Sequence, residues 1–140
     1  MTPAPDPEIL VRRWKIEVLE EEDQRALQYA SIEGEEFIST VLAGMLGVDE
    51  LALEQRLGRL ERVHRLIETH EEEELPDGLL ATRYRFAHAL YQNILYEDLM
   101  SRQRTSLHRE AGELLERHYG SQAARVAGAL ATHFERGREY

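Results

Sequence analysis

The chain has 140 residues, 42% hydrophobic and 31% charged, and its 17 Lys+Arg against 27 Asp+Glu leave a formal net charge of −10. That profile suits one globular domain, or two small units sharing a core, and excludes a disordered chain. The absence of cysteine excludes a disulfide scaffold, a thiolate zinc site, an iron–sulfur cluster and a cysteine nucleophile.

In chain order, three prolines within the first seven residues read as a flexible or extended start. No run of about 18 apolar residues occurs, and Met1-Thr2-Pro3-Ala4-Pro5-Asp6-Pro7-Glu8 has no basic region followed by an apolar one. A cytoplasmic protein with no membrane partner is therefore expected. Ile9, Arg13, Ile16 and Leu19 recur at helical spacing and predict a helix over 8–19. A second helix is expected over 21–31, with Ala26, Leu27 and Ala30 inward and Gly34 as its break. A third covers 35–46, where Phe37, Val41 and Met45 form one row and Ile38, Leu42 and Leu46 the next. Gly47 stands where a left-handed stop belongs.

Asp49 is the expected N-cap of a fourth helix over 50–64, which buries Leu53, Leu57 and Leu60. The period then changes. Residues 65–70 suit a strand, Glu71 to Glu74 a solvated acidic loop, and Pro76-Asp77-Gly78 a turn. Thr82-Arg83-Tyr84-Arg85-Phe86 alternates polar with aromatic and predicts the second strand. Helices resume over 87–99, burying Leu90, Ile94 and Leu95, and over 101–119, where Ser101 caps and Gly120 stops a face of Leu107, Ala111, Leu114 and Leu115. Ser121 would cap the last helix, whose small-residue face is Ala123, Val126, Ala127, Leu130, Ala131 and Phe134. These last two helices read as an antiparallel pair able to open a helical-repeat array. Helices followed by a two-stranded hairpin give the order of a winged helix-turn-helix. The expectation is a mainly α protein: a start and helix at 1–18, a winged helix at 19–87 and a helical extension at 88–140.

A winged helix suggests duplex DNA, with helix 50–64 in the major groove and Arg56, Arg59, Arg83 and Arg85 on the phosphates. The charge argues against it. Helix and cap carry Asp49, Glu50, Glu54 and Glu61 against Arg56, Arg59 and Arg62, and the hairpin tip adds Glu71, Glu72, Glu73, Glu74 and Asp77 with no base among them. Phosphate neutralisation dominates DNA affinity, so such a tip is repelled where it should anchor. Lys15, the only lysine, lies in Arg13-Trp14-Lys15-Ile16, so the chain has no P-loop. No two of the six histidines are three or four residues apart, His-Glu-x-x-His is absent, and no serine sits in a Gly-x-Ser-x-Gly elbow. Neither a metal site nor an enzymatic constellation is expected. His88 stands out because it opens the apolar helix after the aromatic strand, where the helix dipole welcomes a phosphate. Simple capping of the helix end is the other reading of that position.

Several segments together resemble the region that follows the ATPase module in large bacterial STAND-class signal-transduction ATPases. They are Pro7-Glu8, Glu22 to Leu27, Ala30 to Phe37, Leu75-Pro76-Asp77-Gly78, Arg83 to Gln92 and Leu95-Tyr96. The resemblance spans about residues 7–135 and implies a winged helix that packs on a nucleotide-binding domain. The resemblance further implies that this winged helix would hold the resting ADP state and swing away on activation. It also implies that His88, in Phe86-Ala87-His88-Ala89-Leu90, is the position whose imidazole reaches the β-phosphate of ADP, with Arg83 and Arg85 at the same interface. Ala87 and Ala89 depart from the Met and Asp that flank this histidine in related proteins. The implied partners are an ATPase domain in cis or trans, carrying ATP or ADP, and a helical-repeat sensor region beginning at Ser101. The chain itself is expected to bind no cofactor and to catalyse nothing.

Overall fold

The computed structural model describes residues 6–138; Pro3 and Pro5 of the expected extended start lie outside the described residues. Asp6 opens α1 (Pro7–Glu17): its carboxylate accepts from the Glu8 N–H at 2.9 Å, and Pro7 stands where a missing N–H leaves no bond unmade. Ile16 and Leu19 bury one side of this helix end. Three acids, Glu21, Glu22 and Asp23, sit in the first turn of α2 (Glu21–Ala30), where they favour the helix dipole. Ala26, Leu27 and Ala30 face inward as their spacing predicts.

The expected third helix starts later than its periodicity suggests. A tight turn at Ser31–Glu33 ends at Gly34, whose φ of 115° is open to glycine and strained for other residues. This reversal turns the chain into β1 (Glu36–Ile38). Only then does α3 (Ser39–Leu46) begin, stopped by Gly47 in the left-handed region at φ 68°. Phe37 and Ile38 are therefore strand residues pointing to opposite faces, and not members of two adjacent helical rows.

Asp49 caps α4 (Glu50–Arg59) by accepting from the Ala52 N–H at 3.0 Å. The helix runs on through a wider turn, Leu60–His64, to Arg65 at φ 55°. Leu53, Leu57 and Leu60 are buried as expected.

The second strand, β2 (Ile67–Glu74), runs through all four consecutive glutamates, so they are not a loop. Pairing with β3 (Leu80–Phe86) holds them extended, and the register sets Glu71 opposite Arg83 and Glu73 opposite Ala81. A bulge between Thr69 and Glu71 accommodates one extra residue, His70; there the Glu61 carboxylate accepts from the Thr69 N–H at 2.6 Å and from its hydroxyl at 2.8 Å. The sheet has three strands, not two, all antiparallel in the order β1-β3-β2.

Helix α5 (Ala89–Asp98) buries Tyr91, Ile94 and Leu95; Leu90, expected inside, is half-buried because Tyr91 takes the inner position. Met100, not Ser101, is the N-cap of α6 (Ser101–Tyr119), and its N–H donates to the Gln103 side chain at 3.1 Å. Leu107, Ala111, Leu114 and Leu115 are buried on α6. The Ser121-capped helix is not formed. Residues Gly120–Val126 make tight turns, and α7 (Ala127–Arg136) follows. Its inner residue is His133, while Val126 and Leu130 are half-buried and Ala127, Ala131 and Phe134 are exposed. The α6–α7 contact includes the buried pair His108 and His133 and the Phe134 ring over Gly112, with Val126 and Leu130 against the α6 cluster.

The chain is thus mainly helical around a small antiparallel sheet, and apolar clusters lie against both faces of its β1–β3 part, while β2 beyond Ile67 is largely exposed. On one face Phe37 lies between Tyr84, stacked at 5.5 Å, and Phe86, tilted at 5.4 Å, within a cluster that includes Leu27, Leu57 and Leu95. On the other, Ile38 and Ala81 join Leu107, Ala111 and Leu115 of α6. Phe37→Ala should lower unfolding free energy by about 3–5 kcal/mol in urea titrations, against less than about 0.5 kcal/mol for Leu80→Ala at the exposed hairpin end.

Candidate functional site

His88 is the N-cap of α5. Its backbone is extended, and Nδ1 accepts from the Leu90 N–H at 3.0 Å, which places the proton of the neutral ring on Nε2. Nε2 faces the first turn of α1, 3.8 Å from Glu8 Oε1, and Glu8 is in turn held by Arg12 at 3.1 Å. The ring is 43% exposed. The capping geometry is thus present, and the second nitrogen remains a donor directed away from the helix.

Beside it, α1 leaves Leu10, Val11, Trp14 and Val18 exposed, Trp14 by 63%. Their spacing puts all four on the side opposite Ile9, Ile16 and Leu19, so the helix is apolar on its outer face as well as its inner one.

The four predicted arginines are not gathered into one surface. Arg56, on α4, is held by Asp23 at 2.6 Å and Glu22 at 2.7 Å, with Glu20 at 3.8 Å. Asp23 is itself buried, so this pair ties α4 to the start of α2. Arg83 reaches Glu73 at 2.9 Å and Glu71 at 3.6 Å across the hairpin. Arg85 pairs with Glu36 at 2.9 Å, and its hydrogen bond holds the Glu36 carboxyl below the usual range. Arg59 is exposed and makes no ion pair among the described residues. Three of the four cations thus already carry carboxylates, supplied largely by the glutamates of β2 and α2.

Sequence spacing missed three polar clusters that join distant segments. Ser39 and Thr40, at the start of α3, donate to the carboxylates of Glu50 and Glu54, the shortest bond being Thr40 to Glu50 at 2.6 Å. Thr82 completes the cluster through its hydroxyl to Glu54 and its N–H to the Ser39 hydroxyl, both at 3.0 Å. Tyr96, His108 and His133 form a second chain, with 2.9 Å from the Tyr96 hydroxyl to His108 Nε2 and 2.9 Å between the two Nδ1 atoms. The histidines are 25 residues apart on facing helices, a separation that helical periodicity does not flag. Among the described residues no group of three His, Cys, Asp or Glu is placed to hold a metal ion, and no helix is long and apolar enough to cross a membrane.

The third cluster pins the hairpin turn: His118 Nδ1 on α6 lies 2.6 Å from Asp77 Oδ2. That bond, together with the Leu79 N–H, holds the Asp77 carboxyl below its ordinary value of 3.8. A lowered folded-state pKa contributes stability above the unfolded value and loses it as pH falls through the folded one. Asp77→Asn should therefore flatten the acid limb of a stability–pH curve below about pH 4, measured by urea midpoints.

Comparison of the chain with protein-family models, curated proteins and solved structures gives no match.

Proposed function

We propose that this chain is a non-catalytic regulatory module of a STAND-type signal-transduction ATPase, which packs on a nucleotide-binding domain and biases it between closed and open states. The element order α2-β1-α3-α4-β2-β3, with a β2–β3 hairpin as the wing, suits a winged helix. The observation that carries the reading is the outer face of α1. Leu10, Val11, Trp14 and Val18 expose an apolar stripe on the helix that also faces His88. A surface helix does not ordinarily show apolar residues on both sides, which leaves the stripe as a face for a partner domain to cover.

In this reading Nε2–H of His88 donates to a phosphate oxygen of ADP, while Nδ1 keeps the ring oriented by capping α5. Glu8 is the local anion that must turn aside, and Arg12, its ion-pair partner, is the adjacent cation. Arg83 and Arg85 take part only when the partner displaces Glu36, Glu71 and Glu73. The α6–α7 pair leads toward a helical-repeat sensor region.

The test uses the full ATPase assembly. His88→Ala removes both the cap and the phosphate donor, whereas His88→Asn retains a cap acceptor. Both variants should release ADP faster in a stopped-flow chase, and only the alanine variant should also lose about 1 kcal/mol of stability. Unchanged ADP release in both overturns the role of His88. Trp14→Ser should weaken docking of the nucleotide domain by about thirtyfold, the loss of a central aromatic anchor.

Duplex DNA is the second reading, favoured by Arg59 at the end of α4 and Arg62 in the wider turn after it, which are both exposed and make no ion pair among the described residues. It predicts salt-dependent duplex binding lost in Arg59→Ala, and a flat titration at low salt removes it.

A further inference from the structure

A cleft of about 460 Å³ lies between the turn after α2, helix α5 and helix α7, with Glu33, Asn93, Tyr96, Thr132, His133 and Arg136 in its walls. That volume is within the range of small-ligand sites. Tyr96 and His133 of its wall are joined behind it through the buried His108. His108 is 1% exposed and has both ring nitrogens bonded. His133 is 4% exposed, with Nδ1 bonded to His108 and, among the described residues, no hydrogen-bond partner on Nε2. Nε2 is not sealed off from solvent, so this end of the chain opens at the cleft wall. Arg136, one helical turn further along α7, is exposed and makes no ion pair among the described residues.

We infer that this cleft binds a small carboxylate, which takes the guanidinium of Arg136 and the Nε2–H of His133. A carboxylate matches the planar fork of arginine and accepts from a neutral imidazole. The chain then has a single consistent direction. The Tyr96 hydroxyl donates to His108 Nε2, His108 Nδ1–H donates to His133 Nδ1, and His133 Nε2–H donates to the ligand. Tyr96 is thus a positioning residue that selects the tautomer in which His133 presents a donor.

The charges around the site agree with an anion. Burial pushes the His133 and His108 rings down to about 4, with Arg136 acting on both and Arg104 on His108, so both are neutral at pH 7. Glu33, the acid in the wall, is pushed up to about 8 by burial, although its Oε1 accepts from the Ile38 N–H at 3.0 Å. It is therefore largely uncharged at neutral pH, and Arg136 is left as the net charge of the cleft. A bound carboxylate raises the affinity of His133 for a proton, and Glu33 ionises above about pH 8. Both effects make binding weaken as pH rises.

Succinate and acetate, with inorganic phosphate as the comparison, are titrated into the full chain at constant ionic strength while histidine side-chain NMR signals are followed. Succinate should shift His133 saturably, more strongly at pH 6 than at pH 8.5. Arg136→Ala should weaken it by about tenfold or more, the loss of a bidentate charge-assisted pair. Tyr96→Phe should weaken it while moving the His108 and His133 tautomer signals together, which loss of packing alone does not do. An unsaturable shift, or one unchanged in Arg136→Ala, overturns the site. Phosphate saturation at lower concentration than either carboxylate overturns the assigned ligand class.

Discussion

Every part of this molecule depends on β3 being paired along both edges and covered on both faces. Its backbone is bonded to β1 on one side and β2 on the other. Tyr84 and Phe86 project into the cluster built from α2, α4 and α5, while Ala81 projects into the cluster dominated by α6. A strand in this position leaves its neighbours little freedom of register, because a slip of one residue would exchange the aromatic and charged faces. The alternation of Thr82-Arg83-Tyr84-Arg85-Phe86 is thus a structural requirement before it is anything else.

That frame explains where the ionic groups went. Arg83 and Arg85 share the face that does not carry the aromatics, and the glutamates of β1 and β2 are the residues opposite them. A run of like charges reads as a loop when considered alone, since four adjacent carboxylates repel one another. Beside Arg83, which takes Glu71 and Glu73 across the hairpin, it becomes a strand. Phosphate-binding arginines and cross-strand ion pairs draw on the same residues, and here the pairs have claimed them.

Much of the helical layout was legible. The residues Leu53, Leu57 and Leu60, the cap at Asp49 and the stop at Gly47 follow from local rules, and all are found as expected. What local rules could not supply came from distant partners. Phe37 and Ile38 fit a helical row as well as a strand, and only pairing with Tyr84 and Arg83 decides between them. His133 is the inner residue of α7 because His108 on α6, itself bonded to Tyr96 of α5, offers it a hydrogen bond. For the candidate site, the junction at His88 was visible as a helix start. The apolar outer face of α1 and the cleft between α5 and α7 needed the fold.

If one doubly covered strand holds the two apolar clusters together, they must come apart together. Native-state hydrogen exchange across a denaturant series reads this directly from the amides of β3, α4 and α6. The account predicts that the slowest amides of all three open with the same free energy and the same denaturant dependence. An α6 that exchanges through a separate, lower-energy opening while β3 and α4 stay protected would contradict it.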